Sequence, residues 1–299
     1  MAKVRRVRFK GCAGVELTTR SLRLIAVISR GPRIAFFGAR YGENLLHWAP
    51  GRHRRGYWDP MGGHRVWTTR PDADESEETY RPDNAPCALT LTPRGFTVVG
   101  LVDAHTKIQR GLGVRVLGAD RIAVDHSARN AGDLLWSGGL WGVTCVAPKQ
   151  ARTYAIPLGD ASAWDYTSIT AFHTWAGGRG RLGFEDAQFS CTRDRYILRP
   201  SGRENKRLVK ADPGIVALHD ASAKIVFAKH AEYDRSAASR YPLGANLALY
   251  TSAQVIEMET MGPFVTLKPK EAVLHTETWV LRPGQERAPS AASLRELFH

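Results

Sequence analysis

About eighteen short runs of Val, Ile, Leu, Thr and aromatic residues succeed one another along this chain, each closed by Gly, Pro, Asn or Asp. Arg5–Phe9 alternates, Val15–Thr18 and Leu22–Ser29 follow, and Arg33–Phe37 forms an apolar block ended by Gly38. Cys87–Thr92, Phe96–Leu101, Val114–Leu117 and Ile122–Ser127 repeat the pattern around the Gly118-Ala119-Asp120 turn. Trp141–Val146 and Ala151–Ile156, joined through Pro148, are predicted to pair. The series continues through Ser168–Trp175, Gln188–Thr192, Tyr196–Leu198, Ile215–Leu218 and Ala223–Ala231. It ends with Asn246–Thr251, Gln254–Thr260, Phe264–Leu267 and Val273–Leu281. Helical patterning is confined to the C-terminus, where Ser290 is placed to cap Ala291–Phe298 with Leu294, Leu297 and Phe298 on one side.

No β-α-β alternation supports a doubly wound sheet or α/β barrel, and no repeat of fixed period supports a propeller. So many strands must close on themselves or stack to protect their edges. The expected fold is all-β, a single large antiparallel sandwich over residues 1–299 with a short C-terminal helix. At 299 residues the chain can bury roughly three quarters of its unfolded surface, so neither disulfide nor metal is needed for stability. Cys12, Cys87, Cys145 and Cys191 form no C-x-x-C pair and read as reduced thiols, which points to the cytoplasm. No run approaches the ~18 apolar residues of a membrane span, and the basic start Met1–Lys10 lacks the apolar core of a signal peptide. No metal and no cofactor is expected.

Lys and Arg number 42 against 29 Asp and Glu, a formal charge of +13. The cations are spread along the chain, with short clusters at Arg5-Arg6 and Arg52-His53-Arg54-Arg55. No helix-turn-helix, zinc knuckle or aromatic-basic strand accompanies them, so nucleic acid is not expected as a partner. An anionic small substrate or an arginine-rich surface accounts for the charge equally well.

Four places carry residues suited to chemistry. The Gly/Pro-rich segment 40–86 holds Trp48, Tyr57, Trp58, Trp67 and Tyr80, and is expected to be an ordered loop covering a ligand. Within it, Gly62-Gly63-His64-Arg65-Val66-Trp67 offers backbone freedom, a donor fork and a flat apolar face for a sugar or carboxylate. A glycine turn into an edge strand is the competing reading. In Val255–Thr260, Glu257 and Glu259 share one strand face while Ile256 and Met258 point inward; two such carboxylates, partly enclosed, repel and prepare a general base. A solvent-facing strand with two surface glutamates is the alternative. In Thr170–Trp175, His173 and Trp175 share a face, so His173 suits a general acid or a structural hydrogen bond. His126 and the Lys229-His230 pair leave the same choice open.

Taken together, Gly62–Trp67, Pro82-Asp83-Asn84, His126 with Asn130, and Trp141–Thr144 form one pattern. It continues through Tyr241-Pro242, Tyr250-Thr251, Glu257-Met258-Glu259, Gly262-Pro263, Leu267, Pro269, Glu271, His275 and Trp279. This pattern is similar to the galactose mutarotase-like superfamily, in a bacterial branch related to the aldose 1-epimerases, and covers Arg33 to Leu281. The resemblance implies a β-supersandwich with a sugar-binding cleft on one sheet face. It implies ring opening by a Glu base and a His acid, here matched to Glu259 with Glu257 beside it, and to His173. His64, Arg65, Trp67, Asn84, His126 and Lys229 are the expected substrate contacts. The family's Asn-Leu after the His-aromatic segment is absent after Trp175, and Ala248 stands where the branch commonly has Glu. The function implied is interconversion of anomers of a sugar or sugar acid by a monomer or homodimer. A non-catalytic sugar-binding module, or polysaccharide lyase or hydrolase chemistry, are the alternatives.

Overall fold

Alternating apolar residues and frequent turns do produce strands almost throughout. The structure, a computed structural model, describes residues 2–51, 61–69, 84–159, 166–174 and 183–299. Four strands open the chain: β1 (Lys3–Phe9), β2 (Cys12–Thr18), β3 (Leu22–Val27) and β4 (Arg33–Ala39). β5 (His64–Thr69) follows, then β6 (Ala88–Thr92), β7 (Gly95–Val102), β8 (Ile108–Val116), β9 (Arg121–Asn130) and β10 (Trp136–Val146). Next come β11 (Arg152–Pro157), β12 (Ser168–Ala171), β13 (Phe189–Cys191), β14 (Arg195–Leu198) and β15 (Asn205–Lys210). β16 (Ile215–Asp220) and β17 (Ile225–Ala231) lead through two 3-10 turns to β18 (Leu247–Thr251), β19 (Ile256–Met261), β20 (Val265–Leu267) and β21 (Ala272–Pro283). The chain closes with helix α1 (Ala291–Glu296).

All pairings are antiparallel and build two sheets. The first has the order β1-β2-β3-β4-β5-β10-β19-β18-β15-β12, with β20 also on β10; the second runs β13-β14-β11-β16-β17-β21-β9-β8-β7-β6. The large core lies between them, joining Leu17, Leu24, Phe37, Val66, Leu140, Met258 and Leu249 of the first sheet to Leu112, Val124, Phe227 and Trp279 of the second. Burial of that apolar area drives the two sheets together. A smaller cluster of Trp67, Trp141, Val143, Cys145, Leu208, Ala248 and Met261 covers the other face of the first sheet's centre. That second cover explains why β10, buried from Gly138 to Val146, reads as a continuous apolar run rather than an alternation. At the C-terminus Ser290 caps α1 through the Ser293 amide, as expected, and Leu294, Leu297 and Phe298 pack on β16 and β17.

Three expectations are corrected. Segment 40–86 is not loop throughout, because it contains β5, whose His64–Thr68 are buried between β4 and β10. Its Tyr57, Trp58 and Tyr80 lie outside the described residues. β10 and β11 do not pair: β10 lies in the first sheet beside β5 and β19, whereas β11 lies in the second beside β14 and β16. The five residues between β10 and β11 pass the chain from one sheet to the other, a connection that local sequence does not distinguish from a hairpin. β15 is an additional strand, hidden in the sequence by its charge; Lys206 and Arg207 are buried in it.

Candidate functional site

β5, β10 and β19 stand side by side at the middle of the first sheet, and strand alternation sends each one's polar residues to both faces. His64, Thr144 and Thr260 point between the sheets. Arg65, Cys145, Glu257 and Glu259 point the other way. Two polar clusters result, back to back across one sheet.

The inner cluster gathers His64 and Thr144 with Lys229 of β17, His126 of β9, and His275, Glu277 and Trp279 of β21. The Lys229 ammonium donates to Glu277 Oε1 at 2.8 Å, to Thr144 Oγ1 at 2.8 Å and to the Met258 carbonyl at 3.0 Å. Its three hydrogens are thereby placed, and the remaining hydrogens follow in one sense. The Thr144 hydroxyl donates to His64 Nδ1 at 2.8 Å, so His64 carries its proton on Nε2 and donates to His126 Nε2 at 2.7 Å. His126 then donates from Nδ1 to the His275 carbonyl at 2.7 Å. On the other side His275 Nε2 donates to Thr260 Oγ1 at 2.7 Å, and that hydroxyl donates to Glu277 Oε1. Trp279 Nε1 donates to Glu277 Oε2. Gly142 makes room for this arrangement, since a Cβ there would meet Glu277 Oε1 at 2.6 Å and His126 Nε2 at 2.9 Å.

The electrostatics agree with that assignment. Burial drives His64 well below the ordinary imidazole range and lowers His126 likewise, the Glu277 charge opposing both shifts. Burial also lowers His275, to about 3. Burial works to raise the Glu277 carboxyl, but the Lys229 ammonium leads the opposing influences and holds it far below the usual carboxylate range. The cluster is thus one ion pair and three neutral imidazoles. One ring nitrogen each of His64 and His126 and a Glu277 oxygen lie within 4.8 Å of one another, a spacing a metal ion could use. Lys229 already sets a cation on that carboxylate, and the contact between the two imidazoles has the length of a hydrogen bond.

The outer cluster is built differently. Arg33, Arg65, Val143, Glu259, Ala248, Leu208 and Thr170 form one row across β4, β5, β10, β19, β18, β15 and β12. Cys145, Glu257, Tyr250 and Lys206 form the row beside it. Ion pairs cross between the rows: Arg65 Nη2 to Glu257 Oε1 at 3.3 Å, and Lys206 Nζ to Glu259 Oε2 at 3.2 Å. Trp141 Nε1 donates to the same Glu259 oxygen at 2.9 Å, and the Cys145 thiol donates to Glu257 Oε1 at 3.3 Å. The Arg65 guanidinium lies 3.9 Å over the Trp67 ring and Lys206 Nζ 4.5 Å over Trp141, while the two indoles meet edge to face. The expected repulsion between two neighbouring glutamates is replaced by two ion pairs, because strands distant in sequence bring each carboxylate its own cation.

Of the residues predicted for one site, Arg65, Trp67, Glu257 and Glu259 share this outer face. His64, His126 and Lys229 do not: they lie on the inner face, with 0% exposure, so His64 and Arg65 cannot meet one ligand as expected. The reason is the pleat, which turns neighbours in a strand to opposite sides. Asn84 accepts from Arg33 Nη2 at 3.3 Å, behind the row's β4 end. His173 is exposed, just past the end of β12, with its ring 5.8 Å from Phe184; the strand expected to run to Trp175 stops at Ala171. Trp175 itself lies outside the described residues. Sequence reasoning missed Lys206, Thr144, Thr260 and Glu277 as polar centres. Glu277 had a signal: it shares parity with Val273, Trp279 and Leu281, so it had to face the core. Lys229 has the same relation to Phe227.

Two surface hollows, of about 180 and 390 Å³, lie away from both clusters, one beside Arg195 and His219 and the other beside α1. Among the described residues no helix is long and apolar enough to cross a membrane.

No protein-family profile and no curated protein sequence matches the chain. Solved structures do. A galactose mutarotase-like protein from Lactobacillus casei aligns at TM-score 0.60 and 10% identity over 94% of this chain and 100% of its own. A galactose mutarotase related enzyme from Lactobacillus acidophilus aligns at TM-score 0.56 and 9% identity, over 96% of this chain and 100% of its own. A TPR-domain containing protein from Parabacteroides distasonis reaches TM-score 0.61 and 12% identity over 95% of this chain; this chain spans 48% of that protein, about half its length. Two stacked antiparallel sheets, aligned from end to end with such structures, give this chain the fold of the galactose mutarotase-like proteins.

Proposed function

We propose that this protein binds a sugar or sugar acid on the outer face of its first sheet and interconverts its anomers by acid–base ring opening. The observation that carries the reading is Glu259, a carboxylate held by Trp141 and Lys206 in the middle of that face. Glu259 is the base that takes the anomeric hydroxyl proton. Arg65 and Glu257 supply a donor fork and acceptors for further hydroxyls, and the Trp67 and Trp141 rings supply flat apolar faces for the sugar ring. Asn84 braces Arg33, the neighbour of Arg65 in the row. The fold shared with the galactose mutarotase related enzyme supports a sugar-directed role. Four free cysteines suit a reducing, cytoplasmic setting.

The test is anomer exchange followed by NMR over a panel of aldoses and uronic acids, with Glu259→Gln as control. Exchange above the spontaneous rate, lost in the variant, is the expected result; no faster exchange with any sugar defeats the reading. A second reading, sugar binding without turnover, is favoured by one observation: Glu259 has 0% exposure, and Phe172 packs on the cluster around it. Sugar-induced shifts without exchange support that module.

A further inference from the structure

Resting on the epimerase reading, we infer that Lys206 is the catalytic acid, giving its proton to the ring oxygen while Glu259 takes the proton of the anomeric hydroxyl. Ring opening needs two groups at one carbon: a base for the hydroxyl and an acid for the ring oxygen. Both oxygens hang from that carbon, so an acid and a base standing side by side can reach them together. Lys206 Nζ and Glu259 Oε2 stand 3.2 Å apart on one face.

The other proton donors on or near this face are less suited. Arg33 and Arg65 carry guanidinium groups, which do not release a proton in proteins. Burial pushes the Cys145 thiol up, and its hydrogen already points to Glu257. The Tyr250 hydroxyl is raised by burial and donates to Glu204 at 2.8 Å. His64, His126 and His275 lie across the sheet, hydrogen-bonded among themselves. His173 stands beyond the end of β12, and β15 and β18 lie between that strand and Glu259, a lateral separation of roughly 14 Å at ~4.8 Å per strand.

Lys206 reaches Glu259 because Ala248, the residue paired with Glu259 on β18, has no bulk above the sheet. The step balances within the pair. Glu259 accepts the hydroxyl proton, the bond from the anomeric carbon to the ring oxygen breaks, and that oxygen takes a proton from the Lys206 ammonium. The open aldehyde rotates about its bond to C2, and closure on the other face returns both protons by the reverse route.

The experiment compares anomer exchange in wild type, Lys206→Arg and Lys206→Gln by NMR, with sugar-induced shifts recorded in parallel. Arg keeps the charge beside Glu259 but holds its proton, so Lys206→Arg should fold and bind sugar while exchanging at least ~100-fold more slowly. Lys206→Arg exchanging at the wild-type rate overturns the assignment. A wild type that exchanges no sugar defeats the epimerase reading itself and takes this inference with it, a different outcome. Should Lys206→Arg fail to fold, the wild-type pH dependence decides: a lysine donor requires exchange to decline at alkaline pH as the ammonium is lost. A rate that stays level up to the alkaline unfolding edge overturns the role.

Discussion

The inner and outer clusters share strands β5, β10 and β19, and each holds a lysine–glutamate ion pair, yet they are finished differently. Between the sheets, one lysine and one carboxylate are surrounded by imidazoles and hydroxyls until each hydrogen has a defined acceptor. On the outer face two ion pairs lie beside indole rings and a thiol, on the side turned away from the second sheet. The inner set has the completeness of a structural network, where a missing partner is expensive. The outer set holds groups that can take and give protons. What separates them is one step along each strand.

Breaking the inner ion pair tests this contrast most severely. Lys229→Met leaves Glu277 charged and buried, and should cost about 3–5 kcal/mol in urea unfolding. Replacing both residues with apolar ones should recover much of that loss; no recovery would mean that the hydroxyls and imidazoles depend on the charges.

Acid should expose the inner cluster next. His64, His126 and His275 have folded pKa values below their unfolded ones, so their neutral forms favour the native state above the unfolded value of ~6.5. As pH falls from there toward about 3, the folded value of His275, the unfolded chain takes protons that the native state refuses. Stability should drop by ~1.4 kcal/mol per pH unit for each such histidine. Glu277, also depressed, extends the loss to lower pH. Denaturant unfolding followed by circular dichroism at stepped pH measures the slope; a flat profile between pH 6 and 4 would contradict neutral buried imidazoles.

Steric fit comes third. Gly142→Ala places a methyl against Glu277 and His126 and should cost ~1–3 kcal/mol in the same unfolding assay. Anomer exchange, where present, should change far less than stability, because Gly142 faces inward. The smallest effect is expected at the surface: Glu43→Ala, which removes the exposed Lys149 ion pair, should shift stability by no more than ~0.5–1 kcal/mol. A larger change there would show that exposed ion pairs matter more to this fold than the contrast with the core allows.

The legible part of the molecule was whatever one strand decides alone. Strand parity puts Glu257 and Glu259 on one face, with Ile256 and Met258 opposite, and the structure keeps that division. The cap at Ser290 was readable from adjacent residues as well. β5 was not, because glycines on its approach made the segment look like loop; both Gly62 and Gly63 adopt positive φ, and a side chain at either would collide with a carbonyl of a neighbouring segment. β15 was not, because the charges of Lys206 and Arg207 break up any apolar run, and only partners from distant segments make their burial tolerable.

The sequence alone determined that the chain is a many-stranded antiparallel sandwich, and which residues share a face in the strands it reveals. Both follow from a two-residue period that needs no knowledge of neighbours. Only the tertiary structure decided that His64 meets His126, that Lys229 meets Glu277, and that Lys206 stands beside Glu259. Those pairs are 62, 48 and 53 residues apart, and strand pairing at such distances is set by the packing of two whole sheets rather than by any local pattern.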